Sequence, residues 1–326
     1  MHRALIPLFL LSSSCLLAVD AGSNSVCLAS TSTACDAGAE GVSDAGRADG
    51  GLPAVMLLVD TSGSMNAPLV PSMPECAACS GSTCGPTCPT RARVLTAGLS
   101  QFLQTQPGAA WLGLTTFPDP VASVNFMPSG CAPATAQAVE LAPQPGDSPS
   151  AVVTHSQAVL ASVQAFGVSI PFTGGTPTGP SLRFLATLPA LTASTRPTGV
   201  ILVTDGLANC NPNNALSCTS SPPPPSDLCT LGANCVGPYC RAGFSDQEDT
   251  LSAVRALRAA GVKVAVIGLG SDFSFSASAA LMNALADEGG ATACAPGVTC
   301  ATRYFQADNE AQLFGALATA LLRVTR

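Results

Sequence analysis

The sequence predicts an α/β fold: a doubly wound, mostly parallel sheet with helices on both faces. Three observations predict it. Ala54 to Val59, Gly199 to Thr204 and Val262 to Leu269 are apolar at nearly every position, as strands covered on both sides require. Stretches with helical apolar spacing lie between such runs, Arg91 to Gln104 and Gln247 to Ala260 among them. The regular alternation of the two kinds implies parallel neighbours, because a parallel pair needs a long crossover, usually helical. In sheets of this type ligands bind beyond the carboxyl ends of the strands.

Taken in order, the chain opens with Met1-His2-Arg3 and an apolar run from Ala4 to Leu11. That run has signal-peptide length and is too short to span a bilayer. Small residues then precede Cys15, which resembles a bacterial lipobox with its aliphatic residue one place early, and Cys15 is the expected lipid attachment site. Residues 1–19 are read as the leader, with cleavage after Ala21 as the rival. Residues 20–51 are rich in Ala, Gly, Ser and Asp and repeat Asp-Ala-Gly three times. They read as a flexible tether, with no loop of calcium-binding spacing.

From Leu52 the α/β pattern runs to the end, so residues 52–326 form one domain. The first strand, Ala54 to Val59, is followed by a helix over Arg91 to Gln104, with Val94, Leu95, Leu99, Phe102 and Leu103 on one side. Trp111 to Phe117 is a second strand and Val121 to Phe126 a short edge strand. Helices are expected over Pro149 to Phe166 and Pro180 to Leu188. The strand Gly199 to Thr204 precedes a helix over Gln247 to Ala260 that stops at Gly261, a good C-terminal cap. A strand over Val262 to Leu269, a helix over Ala277 to Ala286, a short strand Arg303 to Phe305 and a helix over Asn309 to Arg323 complete the order. Two loops at the carboxyl edge are enlarged: 66–90 with four cysteines, and 206–245 with five and the stiff run Pro222 to Pro225.

Composition narrows the function. The chain has 326 residues, 47% of them hydrophobic and 10% charged, with a net charge of −7. An acidic protein lacks the basic surface that phosphate binding needs, so no nucleic-acid partner is expected. The 15 cysteines suit an oxidising compartment. Setting Cys15 aside leaves an even number, and disulfide pairing is expected throughout. A four-thiolate zinc site at Cys76, Cys79, Cys84 and Cys88 is the alternative for those four.

The chemistry lies at strand ends. The first strand runs into Asp60-Thr61-Ser62-Gly63-Ser64-Met65, where a carboxylate and two hydroxyls at alternate positions can converge as the chain turns. Hard oxygen ligands suit Mg²⁺, Mn²⁺ or Ca²⁺, and Gly63 lets the turn tighten. Thr173-Gly174-Gly175-Thr176-Pro177-Thr178 precedes a helix, and Asp205 follows another buried strand. Singly, each residue could be a turn or helix cap. Together they fall at one sheet edge.

In these motifs the chain resembles the von Willebrand factor type A domain. Asp60-x-Ser62-x-Ser64, Thr176 and Asp205 match its metal-ion-dependent adhesion site, with Thr173 and Thr178 as neighbours that compete with Thr176. The likeness extends from about Leu52 to Arg326. It implies one divalent cation, foremost Mg²⁺, held by the serine and threonine hydroxyls, with the aspartates bound directly or through water. A partner's carboxylate would take an open coordination position, Asp205 would retreat to a water-mediated contact, and the closing helix could shift. The insertions at 66–90 and 206–245 depart from the family's short connections and crowd this face.

The resulting expectation is an exported, surface-tethered binding protein of the cell envelope. It would be anchored to a bacterial membrane through Cys15 and use its metal to hold an acidic group on a protein or other ligand. One alternative is a structural envelope protein whose metal only stabilises the domain. Another is a hydrolase with His155 as base. Against an enzyme, the sequence has no Gly-x-Ser-x-Gly elbow and no phosphate-binding loop.

Overall fold

The computed structural model describes residues 51–80, 83–119, 132–141, 148–206, 208, 242–270, 276–295, 297–298 and 300–326. The leader, the tether, the edge strand expected at 121–126 and nearly all of the second cysteine-rich insertion lie outside the described residues. The strands are β1 (Ala54–Asp60), β2 (Trp111–Phe117), β3 (Thr198–Thr204), β4 (Lys263–Leu269) and β5 (Phe305–Ala307). They pair in the order β2-β1-β3-β4-β5, and every pairing is parallel. The chain leaves β1 for β2 on one side and then returns to β3 on the other. The carboxyl ends of β1 and β3 therefore flank a topological switch point, the place where sheets of this type bind ligands.

The helices are α1 (Arg91–Thr105), α2 (Pro149–Gln164), α3 (Thr178–Ala186), α4 (Pro189–Thr192), α5 (Ala242–Ala259), α6 (Ser276–Gly289) and α7 (Glu310–Thr325). Local chemistry sets several boundaries. Thr90, Ser148 and Asn309 each accept a hydrogen bond from the backbone N–H three residues on, at 3.3, 3.2 and 2.9 Å, satisfying donors that a helix start leaves open. Gly261 ends α5 at φ +83°, a left-handed conformation that glycine adopts without strain.

Both faces of the sheet are buried, which explains the unbroken apolar runs. Val55, Leu57 and Val59 pack with α1, α7 and most of α2. Met56 and Leu58 point the other way, into a core shared with α3, α5 and α6. The strand period of two thus divides one run between two cores. Among the described residues no helix is long and apolar enough to cross a membrane.

Several boundaries differ from the sequence reading: α5 starts at Ala242 instead of Gln247, and α6 runs to Gly289 instead of Ala286. The helix expected over Pro180 to Leu188 breaks at Thr187, and a short second helix starts at Pro189, where proline's fixed φ suits a first turn. The last strand is Phe305–Ala307 instead of Arg303 to Phe305. Arg303 is engaged elsewhere: its N–H donates to Asn283 Oδ1 at 2.7 Å and its guanidinium pairs with Asp287 on α6.

The closing helix fits tightly on the sheet. A Cβ at Gly199 would stand 2.5 Å from Val324 Cβ. Gly199→Ala is therefore expected to destabilise the domain by about 1–3 kcal/mol through overpacking. A shift of the urea midpoint to lower concentration checks this.

Candidate metal-binding site

β1 and β3 deliver their last residues to the switch point, and four predicted side chains meet there. Asp60 is fully buried at the end of β1. Its Oδ1 accepts the Ser62 N–H at 2.8 Å, and its Oδ2 accepts the Thr204 hydroxyl at 2.6 Å. The first bond is an Asx turn, the local role foreseen for an isolated Asp. Ser62 Oγ lies 3.0 Å from Ser64 Oγ, and Ser64 Oγ donates to Asp205 Oδ1 at 2.9 Å. Asp60, Ser62, Ser64 and Asp205 thus form one polar chain across β1 and β3. Asp60, Ser62 and Asp205 are buried, while Ser64 is exposed, so the cluster opens to solvent on the Ser64 side.

A third loop is stitched to the first. Gly63 N–H donates to Gly174 O at 3.0 Å, Thr173 N–H to Thr61 O at 2.9 Å, and Asn66 Nδ2 to Phe172 O at 2.9 Å. A Cβ at Gly63 would stand 3.4 Å from Gly174 O, an ordinary contact, so the approach of the two loops leaves room for a small side chain there. Gly174 carries the positive φ, +80°. These bonds hold buried Thr176 on the loop beside the serines. Of its neighbours, Thr173 is exposed, and buried Thr178 lines a small cavity that Thr204 and Gly206 also line.

The electrostatics depend on two carboxylates in one buried place. Burial foremost, and then the negative charge of Asp205, raise the pKa of Asp60 from 3.8 to about 7 against the lowering effect of the Ser62 and Thr204 hydrogen bonds. Asp205 has a counter-ion, since Arg91 Nη1 lies 2.7 Å from its Oδ2 with both side chains buried. The residues present fit a hard divalent cation. The donors are all oxygen, two are carboxylates, and one guanidinium leaves part of the buried negative charge uncompensated.

Sequence reading missed Arg91, Thr204 and Asn66. A signal for Arg91 existed. A cation at the first residue of a helix opposes the helix dipole, so an arginine there calls for a nearby anion. Thr204 adjoins Asp205 but no spacing marks its bond to Asp60, and nothing local marks Asn66.

The first insertion is closed at its base. Pro68 and Thr90 form an antiparallel bridge, Leu69 N–H donates to Pro89 O at 2.9 Å, and Arg91 N–H donates to Ala67 O at 3.1 Å. Helix α1 therefore starts beside the Ser-x-Ser loop despite the extra residues. Cys76 is bonded to Cys88, Cys79 to Cys84, and Cys294 to Cys300. The sulfurs of Cys76, Cys79 and Cys88 lie within 4.8 Å of one another. As disulfides they offer no thiolate to a metal. Cys15 and the remaining cysteines lie outside the described residues.

His155 is not brought to the site. Its Nε2 lies 2.9 Å from Leu112 O, and its ring packs on Trp111 with centroids 5.0 Å apart. Both partners are at the amino end of β2, whereas Asp60 pairs with Phe117 at the carboxyl end.

By sequence the chain matches no family model and no curated protein. By structure it is similar to the PilB minor pilin of Streptococcus sanguinis. A point mutant of that pilin superposes with a TM-score of 0.54 at 17% identity, over 86% of this chain and 63% of the pilin. The unmutated pilin gives 0.51 and 17%, over 84% and 61%. The chain thus spans less than two thirds of the pilin's length. The likeness is one of fold. Manganese-loaded TRAP of Plasmodium vivax superposes more loosely, with a TM-score of 0.39 and 16% identity over 83% of this chain and 71% of that one.

A pH prediction follows from Asp60. Between pH 3.8 and about 7 the folded state holds a proton on Asp60 that the unfolded chain has released. This contribution makes stability fall as pH rises through that window. In EDTA, melting temperatures of wild type and Asp60→Asn across the window should diverge, with wild type losing more as pH rises. Parallel curves would contradict the shift.

Proposed function

We propose that the chain is an exported, surface-tethered, non-enzymatic binding protein. It uses one divalent cation, foremost Mg²⁺, held by Asp60, Ser62, Ser64, Thr176 and Asp205, to bind an acidic group on a partner. The observation that carries this reading is the convergence of Asp60, Ser62, Ser64 and Asp205 at the switch point of a parallel sheet. Within the reading, Asp60 and Asp205 supply charge, the serine and threonine hydroxyls supply neutral oxygen, and Ser64 marks the open side. When bound, the cation supplies a Lewis-acidic position that a carboxylate oxygen can occupy.

Further support comes from disulfides in the first insertion and from the shared fold with a minor pilin. Both agree with life outside the cytoplasm. Anchoring through Cys15 places the domain at the cell envelope, with residues 20–51 holding it off the membrane. His155, bonded at the far end of β2, supports a structural role over a catalytic one.

Asp60→Ala is expected to abolish Mg²⁺ binding in isothermal calorimetry with the far-UV circular dichroism unchanged. Unchanged affinity would overturn the ligand assignment. Immobilised protein should retain an envelope component in Mg²⁺ and release it in EDTA, and Asp60→Ala should retain none. If EDTA lowers the melting temperature but capture is the same in both buffers, the metal only stabilises the domain.

A further inference from the structure

Arg91 is a buried cation inside the cluster just described. It sits on the first residue of α1, where the helix dipole repels it, and its desolvation is unfavourable without a partner. Other described ion pairs are more exposed, Arg255–Glu288 and Arg303–Asp287 on the surface and Arg183–Asp249 half-buried. Arg91 pairs with Asp205, so the two oxygens of that carboxylate are divided between Ser64 at Oδ1 and Arg91 at Oδ2.

The fold makes room for the guanidinium. Gly270 follows β4 at φ +88°, and a Cβ there would stand 3.0 Å from Leu69 O and 3.4 Å from Arg91 Nε. A side chain at 270 would crowd the Leu69 carbonyl and come into contact with Arg91. The base of the first insertion fixes the other side through the Arg91 N–H bond to Ala67 O. Cys76–Cys88 and the Arg93 hydrogen bonds to Gly85 O and Cys88 O hold the returning strand of the insertion. Arg91 is thus held between the insertion, the end of β4 and Asp205.

We infer that Arg91 is a tethered counter-cation that competes with the divalent cation for Asp205 and so sets the affinity of the site. This rests on the metal-binding reading proposed above. With no cation bound, Arg91 neutralises Asp205 and keeps the cluster assembled. A cation approaching Asp205 meets a carboxylate already neutralised and a like charge beside it, and both weaken its hold. The positive charge of Arg91 does this, so a lysine should do the same and a neutral side chain should not.

The test is a Mn²⁺ titration by isothermal calorimetry of the full chain, as wild type, Arg91→Gln and Arg91→Lys, with a thermal melt of each in EDTA. Arg91→Gln should bind Mn²⁺ about tenfold more tightly or better and melt lower in EDTA. Arg91→Lys should stay within about threefold of wild type. Equal or weaker binding by Arg91→Gln would overturn the inference and leave the metal site standing. Absence of Mn²⁺ binding in all three proteins would overturn the metal site itself. Should Arg91→Gln fail to fold, the side-chain Nε–H resonance of Arg91 in the wild-type chain decides. It should shift on adding Mg²⁺, and an unmoved resonance under saturating Mg²⁺ contradicts the competition.

Discussion

Two carboxylates share one buried place, and the site is organised around that constraint. Asp60 ends β1 and Asp205 directly follows its parallel neighbour β3, so the pairing of the two strands brings them together. Like charges out of water repel, and several features answer this. Asp60 is pushed toward its protonated form, Thr204 and the Ser62 N–H donate to it, and Arg91 is drawn in against Asp205. A cation in the same cluster would relieve the repulsion more completely, which gives the proposed function its physical basis.

The rigid sheet supplies the precision. β1 and β3 are buried on both faces and cannot shift without disturbing two cores. Loops bring the remaining groups, and they are tied by backbone hydrogen bonds, Gly63 to Gly174 and Thr173 to Thr61. The first insertion does not loosen this arrangement, because its ends pair at Pro68 and Thr90 before α1 begins. It extends the face around the site while leaving the site's frame intact. The disulfides Cys76–Cys88 and Cys79–Cys84 staple that extension, in keeping with a small substructure that lacks a large core of its own.

Much of this was legible in the sequence for identifiable reasons. Continuous apolar runs such as Ala54 to Val59, alternating with helical stretches, suit strands covered on both faces, so they marked the parallel sheet. Asp60, Ser62, Ser64 and Asp205 were found because they follow directly on such runs. Arg303 was read as strand, but its N–H and guanidinium are bonded to Asn283 and Asp287 on α6 instead of to a neighbouring strand. Arg91 was read only as the start of a helix, since its partner lies 114 positions away in the chain. Local patterns carry which elements form and where they end. Long-range charge pairing becomes visible only once the topology has brought distant residues together.

The most direct measurement is anomalous diffraction from a crystal of the protein soaked in Mn²⁺. A single strong peak is expected among Asp60, Ser62, Ser64, Thr176 and Asp205, about 2.0–2.6 Å from the serine hydroxyl oxygens, as hard oxygen coordination requires. No peak at that cluster under saturating Mn²⁺, or a peak only elsewhere on the molecule, would contradict the assignment of this sheet edge as a metal-binding site.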